Sequence, residues 1–146
     1  MFKFEIINPP KSFIIKEKII NSIFSELEKI ESTTLKGTLN IVFQEDSEIQ
    51  RLNKQYRNID KTTDVLSFHY YDNFSELQDD EVAGEIILSE KKIIAQGKQY
   101  KLGSELECYK LIIHSSLHIL GYDHEDDEDY LIMKQKEDLI WKNIFE

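Results

Sequence analysis

A second cysteine is missing from this sequence. Cys108 stands alone, so no internal disulfide can staple the fold, and the chain does not depend on an oxidising compartment. Cys108 lies in Leu106-Glu107-Cys108-Tyr109, an apolar helical pattern with an acid beside it. It reads as a buried, inert thiol rather than a nucleophile. Glycine and proline are scarce, at five and two, which argues against disorder and fibrous repeats. No repeat, low-complexity tract or linker is found. No apolar run approaches the roughly 20 residues that a membrane-spanning helix needs. No apolar segment follows Met1-Phe2-Lys3-Phe4-Glu5, as a secretory signal would require. These absences predict a soluble, cytoplasmic protein with no membrane role.

Basic charge is also in short supply. Lys plus Arg is 18 and Asp plus Glu is 28, for a net charge of −10. Between Asp123 and Glu146 there are nine acids and three bases. Such a chain is a poor general attractor for nucleic acid, so any nucleic-acid role must rest on a local basic patch or on a metal.

What is present suits one domain over residues 1–146. Apolar residues make up 40%, with eight Phe, seven Tyr and one Trp, enough for a core without staples. Alternation predicts strands at Phe2–Ile6 and around Leu39, Ile41 and Phe43; Thr63–Tyr70 reads as a strand apolar on both faces, and Val82–Leu88 as a fourth strand. Helical spacing predicts a helix within Ser12–Ile30, with Ser12 as N-cap, and another capped by Asp46 and carrying Ile49, Leu52, Asn53 and Tyr56. Ser89–Gln99 and Asp127–Phe145 are also helical, the latter with Tyr130, Met133, Ile140, Trp141 and Ile144 on its inner side. Tyr71–Asp80 reads as an exposed acidic loop. Glu105–Leu120 is apolar almost all round, which predicts a buried central helix stopped by Gly121 in a left-handed conformation. The expected class is α+β: a small mixed four-stranded sheet packed by about five helices, with the Thr63 and Val82 strands antiparallel.

Three of the four histidines fall within His114-Ser115-Ser116-Leu117-His118-Ile119-Leu120-Gly121-Tyr122-Asp123-His124. His114 and His118 are one helical turn apart on a shared face. Gly121 lets the chain turn so that His124 can swing back. Three imidazoles leave a fourth tetrahedral position for water, the arrangement of a catalytic zinc. A structural metal is disfavoured because no fourth Cys or His is near, although Asp123 and Asp127 are available. The spacing H-x-x-x-H-x-x-G-x-x-H is that of metzincin-type proteases, but their general-base Glu after the first His is Ser115 here. Peptide hydrolysis by that route is therefore disfavoured. A metal alone can still acidify water to a pKa of about 7 and polarise a phosphate oxygen.

The same segment resembles the signature of the YbeY family, H-G-x-L-H-L-x-G-[YH]-D-H. Leu52-Asn53-Lys54-Gln55-Tyr56-Arg57 followed by Thr63-Asp64-Val65-Leu66-Ser67-Phe68 resembles that family's L-N-x-x-Y-R and T-D-V-L-S-F. Ala83-Gly84-Glu85-Ile86-Ile87-Leu88-Ser89 is similar to its G-D-I-x-I-S strand, and all the blocks occur in the family's order. The resemblance implies a metal-dependent endoribonuclease for single-stranded RNA, acting in 16S 3′-end maturation and ribosome quality control. Its partners would be ribosomal RNA and small-subunit ribosomal proteins. It implies a zinc ion on His114, His118 and His124, with Arg57 as the functional arginine near the metal. Nickel and other first-row ions suit the same imidazoles. The departures are Ser115 for glycine, Glu85 for aspartate and His69 for a frequent proline.

On a phosphodiester substrate, Arg57 can hold two phosphate oxygens in a bidentate fork and offset developing charge. With Arg51 and Lys54 it forms a basic stripe at helical spacing. Asp123 is a candidate for orienting a ligand imidazole, and equally for an exposed residue or a cap on the turn. Glu125–Asp129 is expected to be a solvated helix start, pointing away from the substrate path. His69 reads as structural. Two other readings stay open: a metallohydrolase of another ester or amide, and a non-catalytic, metal-stabilised ribosome-associated factor. Oligomeric state is not legible.

Overall fold

The computed structural model describes residues 1–146. In chain order the elements are β1 (Lys3–Ile7), α1 (Glu17–Glu31), β2 (Thr38–Phe43), α2 (Asp46–Arg57), β3 (Val65–His69), β4 (Val82–Leu88), α3 (Glu90–Gln99), α4 (Ser104–Ile119) and α5 (Asp127–Phe145). The four strands form one sheet in the order β1-β2-β4-β3. β1, β2 and β4 run parallel, while β3 pairs antiparallel with β4, Ser67 opposite Ile86. The expected mixed sheet and its antiparallel pair are therefore both present. No helix is long and apolar enough to cross a membrane.

Period-two alternation sorts the strand residues between two unequal faces. Leu39, Ile41 and Phe43 of β2 and Ile86 and Leu88 of β4 enter a cluster of 24 buried residues. That cluster is completed by α1 (Ile20, Ile23, Phe24, Leu27), α3 (Ile93), α4 and α5 (Met133, Ile140). The opposite face is thinner, with only Val42, Ile49, Leu66 and Ile87 forming a buried group of four under α2. Gly84 is required where β4 meets β3, because a Cβ there would stand 2.4 Å from the Phe68 carbonyl oxygen.

α4 is the central helix that its apolar circumference predicts. Cys108, Tyr109, Leu111, Ile112, Ile113, Leu117 and Ile119 are all buried. Burial raises the Cys108 thiol pKa well above its ordinary value, in keeping with an inert thiol.

Several local expectations are corrected. α1 starts at Glu17 with Lys16 as an N-cap that makes no side-chain bond. Ser12 instead donates its N–H and hydroxyl to the Glu90 carboxylate. Glu45, not Asp46, caps α2, and Asp46 accepts a bond from the Ser89 hydroxyl at 2.6 Å. The Tyr71–Asp80 segment is not wholly exposed, because it tucks Phe74 and Leu77 into the core. Tyr130 is 57% exposed rather than on the inner side of α5, since the inward stripe of that helix begins at Met133.

Candidate metal centre

α4 ends in a Schellman turn that builds the site. The Gly121 N–H donates to the His118 carbonyl, and the Tyr122 N–H donates to the Leu117 carbonyl, both at 3.0 Å. Gly121 has φ +102°, a conformation that side-chain-bearing residues rarely adopt. The chain thus reverses within two residues and returns His124 to the face that His114 and His118 share. One nitrogen from each ring lies within 4.8 Å of the others, a grouping able to hold a metal ion.

The second nitrogens are also engaged. His114 Nδ1 is 2.6 Å from Oε1 of Glu137 on α5. His118 Nδ1 is 2.9 Å from the Tyr122 carbonyl oxygen. An ionised carboxylate and a carbonyl only accept, so both Nδ1 atoms carry the hydrogen. Both Nε2 atoms then carry lone pairs, yet they sit 3.0 Å apart. Two facing lone pairs need something electron-poor between them. Burial, and then the neighbouring His114, push His118 below its ordinary imidazole pKa. A divalent cation fits this donor set.

Glu137 lies 13 residues beyond His124, and nothing in its surroundings on α5 marks it. Its signal in the sequence is at best its place one turn after Met133, on the side of α5 that turns toward α4. Tyr122 is a second unanticipated contributor. Its carbonyl orients His118, and its hydroxyl donates to Glu31 Oε1 at 2.7 Å, tying the turn to the end of α1. Asp123, for which the sequence leaves both an imidazole partner and a cap on the turn open, accepts from the His124 backbone N–H at 2.7 Å and so sets the turn.

The histidines open into a cleft of about 530 Å³, lined by Arg57, Thr63–Ser67, His114, His118 and Asp123–Glu125. β3 forms one wall and the end of α4 the other. Arg57 arrives from the last turn of α2, where Asn58 adopts a left-handed conformation and ends the helix. Buried Asn53 steadies this junction, donating to the Lys61 carbonyl at 2.8 Å and accepting a long bond from Arg57 at 3.4 Å. The predicted basic stripe does not survive. Arg51 is paired with Glu48 at 2.6 Å and Lys54 faces Asp60 at 3.8 Å, which leaves Arg57 as the member without an acid partner. Glu125 lines the cleft, contrary to expectation, while Asp126 caps α5 by accepting from the Asp129 N–H. Ser115 and Glu85 stay out of the cleft: Ser115 is buried without a partner, and Glu85 accepts from the Tyr70 hydroxyl. His69 is exposed and apart from the cluster.

The family model for Endoribonuclease YbeY matches residues 9–144. A Clostridium botulinum (strain Eklund 17B) protein named Endoribonuclease YbeY is 35% identical over 141 residues, covering 85% of this chain and 82% of its own. The Finegoldia magna protein of the same name is 38% identical over 134 residues, covering 87% and 86%. A Thermotoga maritima protein solved in solution superposes with TM-score 0.56 at 25% identity, covering 96% of this chain and 90% of its own. A match over nearly the whole length, joined to the same three-histidine turn that the sequence motif marks, shows that this chain is a member of the YbeY endoribonuclease family.

Proposed function

We propose that the chain is a metal-dependent endoribonuclease that cuts single-stranded RNA, with a zinc ion on His114, His118 and His124. The observation that carries this reading is the pair of facing Nε2 lone pairs 3.0 Å apart, in a cleft whose unpaired cation is Arg57. The name of the related proteins supplies the substrate class, ribonucleic acid. When bound, the ion supplies Lewis-acid polarisation and acidifies water.

The protein's own groups do the rest. Glu137 and the Tyr122 carbonyl hold His114 and His118 in the tautomer that presents Nε2. Arg57 offers a guanidinium fork to two oxygens of the scissile phosphate and offsets the charge that grows there. Asn53 keeps that guanidinium at the cleft. With a net charge of −10, the surface adds little general attraction for RNA, so binding depends on Arg57 and the metal. The wider role proposed is 16S ribosomal RNA 3′-end maturation and ribosome quality control in the cytoplasm, alongside small-subunit ribosomal proteins.

The test uses purified protein of quantified metal content, matched single- and double-stranded RNA, and the variants His114→Ala and Arg57→Ala. The reading expects about one metal per chain and cutting of the single strand that both variants lose. Metal binding with no cutting above the His114→Ala background would instead move the ribosome-associated, non-catalytic role to first place. Elemental analysis decides between zinc and nickel.

A further inference from the structure

β3 is an edge strand, with β4 on one side and no strand on the other. In an antiparallel ladder, alternate residues turn both backbone groups toward the partner, and those between turn them away. Two flanking bonds set the phase here. The Ser89 N–H donates to the Asp64 carbonyl, and the Tyr70 N–H to the Ala83 carbonyl, each at 3.0 Å. Asp64, Leu66, Phe68 and Tyr70 therefore face β4. Val65, Ser67 and His69 point their N–H and C=O groups to the open edge.

That edge is also a wall of the metal cleft, because Val65 and Ser67 line it together with Arg57, His114 and His118. Natural sheets guard open edges with lysine, proline or a covering segment. None of the three outward positions carries lysine or proline. An unguarded row of donors and acceptors beside a catalytic cleft is a ready template for an extended chain.

We infer that the open edge of β3 is the rail on which the RNA strand lies during cutting, held by the backbone groups of Val65 and Ser67. This rests on the endoribonuclease reading above. The occupant is a single-stranded nucleic acid because the same cleft carries Arg57, a cation with no acid partner, suited to phosphate oxygens. The edge N–H groups donate to phosphate or base acceptors, and the carbonyls accept from base amino groups. Backbone contacts of this kind tolerate many sequences but require bases that are not already paired. The edge thus accounts for a preference for single strands without any base-reading side chain.

Ser67→Pro tests the inference, because proline at an outward edge position removes the N–H without breaking a ladder bond. Leu66 is already extended, as a residue before proline must be. On a labelled, unstructured oligouridylate, Ser67→Pro in the metal-loaded protein is expected to raise KM about tenfold, equivalent to 1.4 kcal/mol. Its kcat, metal content and melting temperature should stay near wild type. A second measurement needs no variant: hydrogen exchange at the Val65 and Ser67 amides of wild type should slow about tenfold when an uncleavable 2′-deoxy oligonucleotide is bound. Unchanged KM in Ser67→Pro, or edge amides that exchange as fast with oligonucleotide as without, would overturn the inference and leave the endoribonuclease reading intact. Protection by an unstructured peptide but not by the oligonucleotide would overturn it too, assigning the edge to a protein. If Ser67→Pro melts early or loses metal, Val65→Pro and the wild-type exchange decide. Wild type that neither binds nor cuts RNA is a different result, because it removes the endoribonuclease reading itself.

Discussion

The two faces of the sheet are built to different depths. One buries 24 residues under α1, α3, α4 and α5, and the other buries four under α2 alone. The deep face anchors α4 and so holds the histidines in place. The thin face supports α2, whose last turn carries Arg57 to the cleft. Rigid placement of a metal needs ligands locked by packing and by partners behind them, as α4 and Glu137 provide. For Arg57 a fixed helix end is enough, and Asn53 with Asn58 supplies it.

This division predicts that stability and chemistry separate by face. The largest effect expected is from Phe24→Ala, which empties a fully buried site on the deep face and should cost about 3–5 kcal/mol in denaturant unfolding. A loss below 1 kcal/mol would show that the deep face is not the foundation. Arg57→Ala should lower cutting about 10²–10³-fold, as loss of a transition-state donor does elsewhere. Its melting temperature and metal content should be unchanged, and a parallel drop in either would blur the division.

Glu137→Gln keeps the shape of the side chain but weakens the acceptor behind His114. Metal affinity should fall about 10–100-fold, read by competition with a chelator, while the fold persists. Ser115→Ala removes a buried hydroxyl without a partner and adds helix propensity, so unfolding should become about 1 kcal/mol harder. Equal or lower stability would mean that the hydroxyl finds a partner in solution.

The smallest effect depends on pH. Glu107 is buried on α4, and its Oε2 lacks a hydrogen-bond partner, with Lys110 Nζ at 3.8 Å. Burial raises its carboxyl pKa, an effect that Lys110 partly offsets. A carboxyl raised on folding favours the native state below its unfolded pKa and loses that contribution as pH rises through the folded one. Glu107→Gln should therefore raise the melting temperature at pH 7, by an amount that shrinks as pH falls toward 4. A constant difference across that range would assign the effect to packing instead.

Local pattern carried much of this protein. The runs Val82–Leu88 and Asp127–Phe145 are legible to the residue. Helix starts were less legible. Ser12 and Asp46 are both good cap types, yet each is drawn away by a partner 78 or 43 residues distant in the chain. Phe74 and Leu77 sit in a polar, acidic segment, so only the core they pack into, Phe74 against Phe2, reveals that they are buried.

The site divides in the same way. Sequence alone determined the grouping of the three imidazoles, because their spacing, the helix and the glycine stop are all local. Its family blocks also marked Arg57. Only the tertiary structure decided that Glu137 stands behind His114 and which strand edge opens on the histidines. The Arg51–Glu48 pair is a local i,i+3 contact within α2, whereas Glu137 meets His114 across a gap of 23 residues and from another helix. Such pairings depend on how helices pack, and packing is settled by volume and burial over the whole chain rather than by any local period.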